Sequence, residues 1–191
     1  MARIPLVTRE TLTPEQRPIY EAVVAGPRGK VEGPLLAALH RPELADRWQR
    51  LGEVLRYRTV FPARLSEVAI LVTAQRWACQ LEWHIHARVA LDAGLEPEII
   101  ADLKAGRRPG GGNEEVLAIR DYCVELQDAR RVSDRTYRRV LDRWDVAGVV
   151  ELTALVGYYT MVAMTLNAHE FPLPDGENLP FEPAAEATCR R

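Results

Sequence analysis

The sequence predicts an all-α protein, and three observations carry that reading. Apolar residues recur at intervals of three and four through most of the 191 residues, the period of a helix with one buried face. The β-branched residues fall inside those helical intervals, without the period-two alternation of a strand. Helix punctuation recurs as well: Pro14, Pro42, Pro62 and Pro97 precede apolar runs, and Gly94 closes one, as expected of helix starts and ends.

Residues 1–12 read as an extended arm. Thr13, Pro14 and Gln16 form a capping box with proline at the first helical position, opening a helix to about Ala25. GPRGKVEGP (26–34) is a loop, and LLAALH is a short apolar turn. Pro42 starts a helix that places Trp48, Leu51 and Leu55 on one face. Arg64 to Ala78 is apolar nearly all round, which predicts an interior helix. The next helix carries Cys79 to Ala93 and stops at Gly94, a natural residue for the position after a C-cap. Pro97 opens a short helix to Lys104, and GRRPGGGN (106–113) is the clearest loop. Glu114 to Arg130 is amphipathic, Ser133 caps a helix to Trp144, and Asp145 precedes the long apolar run VAGVVELTALVGYYTMVAMTLNAHE. The tail, 171–191, has four prolines and is expected to lie over the surface or a neighbouring subunit. The chain reads as a single helical domain, 1–191. A faint repeat at an offset of 84 sets Glu67, Leu71 and Val72 over Glu151, Leu155 and Val156. It predicts two similar helix units that pack together.

Composition excludes several classes of function. Hydrophobic residues make up 47% and charged residues 27%, as in globular rather than disordered chains. A formal charge of −2, with arginines scattered among acids, gives no electrostatic case for nucleic acid or an anionic membrane. No run of signal-peptide type opens the chain, and no stretch approaches the roughly 18 uninterrupted apolar residues of a membrane span. A soluble, cytoplasmic protein is expected. Cys79, Cys123 and Cys189 are odd in number and far apart, so they make no disulfide framework and no Cys-x-x-Cys pair. Neither a metal nor a cofactor is expected, because the one cluster offers three ligands where zinc asks for four.

That cluster is the chemical centre of the sequence. Cys79, Glu82 and His86 are spaced by three and four, so on a helix they share a sector of about 60°, with Trp83 on its flank. His84 points about 140° away from Cys79. Trp77, Leu81, Trp83 and Ile85 around the trio suggest a helix with little solvated surface, where a carboxylate must be paired or protonated. The structural alternatives are a packed thiol and a solvated i,i+4 Glu–His pair. Glu67 falls about 120° from Cys79 along one straight helix and joins the trio only if the helix breaks near Gln75–Ala78. His40, His169, Tyr158, Tyr159, Met161 and Cys123 read as structural or core residues. Arg107 and Arg108 read as a solvated loop.

Arg64-Leu65-x-Glu67, an apolar helix, Cys79-x-x-Glu82-Trp83-x-x-His86 and Ala93-Gly94-Leu95 together resemble the carboxymuconolactone decarboxylase family, with its AhpD-like members. The match is close over about 60–105 and looser over LTALVGYYTMVAMTLNAHEFPLPDG. The resemblance implies an all-helical fold, assembly as a trimer or hexamer, and a small-molecule substrate. In AhpD-like members the site is a relay of a glutamate, two cysteines three apart and a histidine four beyond the second. Carried over, the glutamate matches Glu67, the first cysteine Cys79 and the histidine His86. Glu82 stands where the second cysteine would be, so the AhpD disulfide cycle has no partner thiol here. The pathway decarboxylases generally lack the cysteine, so this chain resembles a third branch.

Three functions follow. The first is a cofactor-free lyase or isomerase acting on a small carboxylated lactone or keto acid, with His86 as proton donor, Glu82 fixing its tautomer and Cys79 lining the pocket. The second is a thiol-dependent peroxidase using Cys79. The third is a non-enzymatic oligomerisation module.

Overall fold

The computed structural model describes residues 2–182; the last part of the tail, with Cys189, lies outside them. Among the described residues all regular structure is helical: α1 (Arg17–Ala25), α2 (Pro34–Ala38), α3 (Pro42–Tyr57), α4 (Ala63–Arg76), α5 (Gln80–Asp92), α6 (Pro97–Lys104), α7 (Glu114–Asp128) and α8 (Asp134–Ala168).

α4 is the axis. Every residue from Leu65 to Ala74 is buried, and α5, α6, α7 and α8 all pack against it. A helix enclosed on every side needs apolar residues on every side, which explains the unbroken VAILVTA run. α1, α2 and α3 form a second layer, with α2 and α3 resting on α8.

Local signals in the sequence account for most boundaries. Thr13 and Gln16 exchange the reciprocal bonds of a capping box, with Thr13 N–H donating to Gln16 Oε1 at 2.9 Å and Gln16 N–H to Thr13 Oγ1 at 3.3 Å, but they close a turn: α1 begins at Arg17, later than the expected first position at Pro14. Asn113 and Ser133 cap α7 and α8 by accepting from Val116 and Thr136 N–H. α8 is interrupted at Trp144 and Asp145, which leave helical geometry; its two segments correspond to the two helices read on either side of Asp145. Gly94, at φ +84°, closes α5, with Leu95 N–H donating to Ala90 C=O and Gly94 N–H to Leu91 C=O, both at 2.9 Å. This is the Schellman pattern.

α8 is the longest of the described helices. It is long and apolar enough, by length and composition, to cross a membrane, and half of its most apolar window is buried inside the fold. Glu151, Thr153 and Thr160 interrupt the run, so no 18 apolar residues follow one another, yet its mean stays within the membrane range.

The described part of the tail lies along α5. Gln80 brackets Phe181 through both its backbone N–H and C=O at 2.9 Å. Phe181 also packs edge-on against Trp83, and Arg88 donates to Glu177 at 2.5 Å.

Candidate active site

The site begins with the turn between α4 and α5. Ala78 adopts φ +44° while its N–H donates to Gln75 C=O at 3.1 Å and Cys79 N–H donates to Ala74 C=O at 2.9 Å. Ala78 thus occupies the Schellman position usually given to glycine. Cys79, in extended geometry, becomes the N-cap of α5. The chain reverses within three residues, so α4 lies alongside α5 instead of continuing it.

Reversal brings Glu67 to His86. Glu67 Oε2 accepts from His86 Nδ1 at 2.7 Å, with both residues buried. The expectation that Glu82 fixes the histidine tautomer is therefore corrected: the reversal between α4 and α5 sets Glu67 against His86 Nδ1, while Glu82, on the same face of α5 as the ring, makes no hydrogen bond to it. With Nδ1 engaged as donor, Nε2 is the free nitrogen, and among the described residues it makes no hydrogen bond. Tyr159 stands edge-on to the imidazole, with ring centroids 5.0 Å apart.

Glu82 is 1% exposed, and neither of its carboxyl oxygens has a hydrogen-bond partner among the described residues. Burial, reinforced by the nearby Glu67 charge and opposed only by Cys79, pushes its pKa well above the usual carboxylate range. Burial without a partner favours the protonated form of Glu82, in which its O–H is a hydrogen-bond donor. Cys79 is likewise 1% exposed. Burial first, then the adjacent Glu82, push its thiol up to about 12. The two groups act on each other's ionisation without the directed geometry of a hydrogen bond.

Glu82 and His86 line a cavity of about 190 Å³ with Tyr158, Tyr159, Ile85, Val89, Val162 and Leu166, and with Arg28, Lys30, Glu32 and Arg56. That exceeds the roughly 150 Å³ at which an apolar cavity takes up benzene. Cys79 is absent from its lining. It faces a separate depression with Trp77, Leu81, Asn167, Phe171 and Leu179, which corrects the expectation that it lines the same pocket. An N-cap residue stands at the rim of the helix, not on the face that Glu82 and His86 share.

Residues read as core from sequence also enter the site. Tyr158 and Tyr159 are buried and wall the cavity; burial pushes Tyr159 well above the ordinary tyrosine value of 10. Arg28 donates to Tyr158 Oη at 3.1 Å. Adjacent tyrosines on an apolar helix give no spacing signal, and Arg28 sits in a loop 58 residues before His86. Only the fold joins them. The other sequence candidates stay apart: Cys123 is fully buried on α7, Arg107 and Arg108 pair with Asp102 and Asp121, and His40 meets Pro5 C=O at 2.8 Å. His84 faces Glu177 at 3.9 Å, and His169 caps α8.

A helical scaffold thus presents a buried imidazole–carboxylate pair and an unpartnered carboxyl group at a small cavity. Residues 42–124 match the carboxymuconolactone decarboxylase family, and Glu67, Cys79, Glu82 and His86 all lie within that span. The family resemblance read from the motif stands over it. The crystal structure described as the alkylhydroperoxidase AhpD core, an uncharacterized peroxidase-related protein from Ralstonia eutropha JMP134, matches with a TM-score of 0.75. The match covers 91% of this chain and 93% of that one at 13% identity, and what it shows is the AhpD-like fold. No curated protein matches the chain.

Proposed function

We propose that this protein is a cofactor-free proton-transfer enzyme, a lyase or isomerase acting on a small carboxylated lactone or keto acid. The observation that carries this reading is the buried His86–Glu67 pair beside an unpartnered Glu82 that lines the same cavity as His86. Glu67 holds the imidazole so that Nε2 faces the substrate, and stabilises the imidazolium when it forms. Glu82 donates a hydrogen bond to the substrate carbonyl oxygen, where negative charge develops. In a decarboxylation, the bond to the departing carboxylate breaks and its electron pair enters the carbonyl as an enolate. CO₂ leaves, and the imidazolium Nε2–H delivers its proton to carbon. In an isomerisation, neutral Nε2 takes a proton from one carbon and returns it to another. Apolar walls from Val89, Val162 and Leu166 favour loss of charge from a carboxylate.

The thiol-dependent alternative draws less support. Cys79 is buried with a pKa of about 12, whereas the reactive form is the thiolate. The purely structural reading is opposed by a ligand-sized cavity at the polar groups.

The test is proton NMR in D₂O with a panel of carboxylated lactones and β-keto acids. Decarboxylation or deuterium incorporation next to the carbonyl is expected. His86→Ala should lower the rate by about 10²-fold or more, while Cys79→Ser leaves it within about twofold. Absence of turnover across the panel, or activity that depends on Cys79 and not on His86, overturns the proposal.

A further inference from the structure

The proton-transfer groups occupy one part of the cavity, and its arginines serve no purpose in the chemistry just described. Arg28 and Arg56 line the same cavity, and neither forms an ion pair among the described residues. Lys30, by contrast, is matched with Glu32 at 2.8 Å. Arg28 is held in place: its terminal nitrogen donates to Tyr158 Oη at 3.1 Å, and its Nε is buried without a partner. On its α3 side there is no room for a side chain. A β-carbon at Gly52 would lie 2.1 Å from Tyr158 Oη and 2.2 Å from Arg28 Nη2, so α3 carries glycine where tyrosine and guanidinium cross it. Arg56 lies over the Tyr57 ring at 5.1 Å, on the same helix one turn further on.

We propose that Arg28, positioned by Tyr158 and assisted by Arg56, is the anchor for a substrate carboxylate that does not react. The inference rests on the proton-transfer reading for its ligand, and it deepens that reading. The substrate then carries two distinct polar ends: a carboxylate for the guanidinium groups, and a carbonyl that meets Glu82 and His86. A fixed guanidinium with an orphaned Nε offers the paired donors that a planar carboxylate accepts. Arg28 is a specificity-determining residue and takes no part in moving the proton.

The experiment measures binding, so it is independent of turnover. Levulinate, a keto acid, and its methyl ester are titrated calorimetrically into the full chain, with inorganic phosphate as a third probe. Levulinate should bind at least tenfold more tightly than the ester, a difference of about 1.4 kcal/mol. Arg28→Gln should remove that preference while leaving affinity for the ester unchanged. Tyr158→Phe, which preserves the ring and frees Arg28, should remove part of it, and this variant keeps the test decisive if Arg28→Gln does not fold. Equal binding of acid and ester, phosphate binding as tightly as levulinate, or a preference that survives in both variants overturns the anchor. Carboxylate binding that depends on Arg28 in a protein that turns over no lactone or keto acid would leave the anchor standing and sink the proposed function. Turnover dependent on His86 with an unchanged KM in Arg28→Gln would do the reverse.

Discussion

At the scale of single residues, the same burial acts on two neighbours with opposite consequences. For Glu82, loss of solvent retains the proton and yields a usable acid; for Cys79, it suppresses the thiolate that reactivity requires. Linkage makes the first effect measurable. The folded pKa of Glu82 is raised, so its contribution to stability is fully present below the ordinary carboxylate range and is lost as the pH rises toward the folded value. The slope is at most about 1.4 kcal/mol per pH unit for one proton. Glu82→Gln removes that dependence, so the variant should gain stability relative to the parent as the pH is raised from about 5 to 8. Urea unfolding at several pH values checks it, and a difference that does not change with pH contradicts the assignment. For Cys79, alkylation by iodoacetamide at pH 7.5 should be at least tenfold slower in the native protein than in urea, read by mass spectrometry of its peptide. Native labelling as fast as that of the unfolded chain would reverse the view of this thiol.

At the scale of elements, the α4–α5 turn decides the site, and it does so with an unusual residue. Ala78 at φ +44° bears the left-handed penalty of roughly 1–2 kcal/mol, while glycine in its place would add unfolded-state entropy costing about 0.4–1 kcal/mol. The balance favours glycine. Ala78→Gly should therefore stabilise the protein by up to about 1.6 kcal/mol, seen as a higher denaturation midpoint with an unchanged slope. Destabilisation would show that the alanine methyl contributes packing beyond its conformational cost. The turn also explains why no glycine warned of the reversal: a glycine-free Schellman motif is invisible to punctuation rules, whereas Gly94 and Gly106, at φ +84° and +70°, announce the ends of α5 and α6.

At the scale of the molecule, α8 shows two characters. Its inner face, with Leu152, Leu155, Tyr159 and Val162, is core. Its outer face leaves Val146 65%, Val150 62% and Met164 51% exposed, and Gly157 is also at the surface between them. An exposed apolar stripe of this kind marks a surface for association. The homo-oligomer implied by the family resemblance is proposed to use it. Light scattering should give a mass several times 21.5 kDa, and paired Val150→Lys and Met164→Lys substitutions should reduce it to the monomer. A monomeric parent at micromolar concentration ends that proposal.

Sequence by itself determined the helical class and most helix boundaries, and singled out Cys79, Glu82 and His86 as candidates, because these are local matters of period, capping and spacing. It also marked Glu67 as dependent on a helix break. Tertiary structure decided how the polar groups are shared out. Packing α5 back along α4 pairs His86 with Glu67, leaves Glu82 without a hydrogen-bond partner, and turns Cys79 toward a different depression. It also carries Arg28 and the two tyrosines to the same space. Partners distant in the chain and unrelated in spacing leave no periodic trace, since the contact exists only once the helices pack.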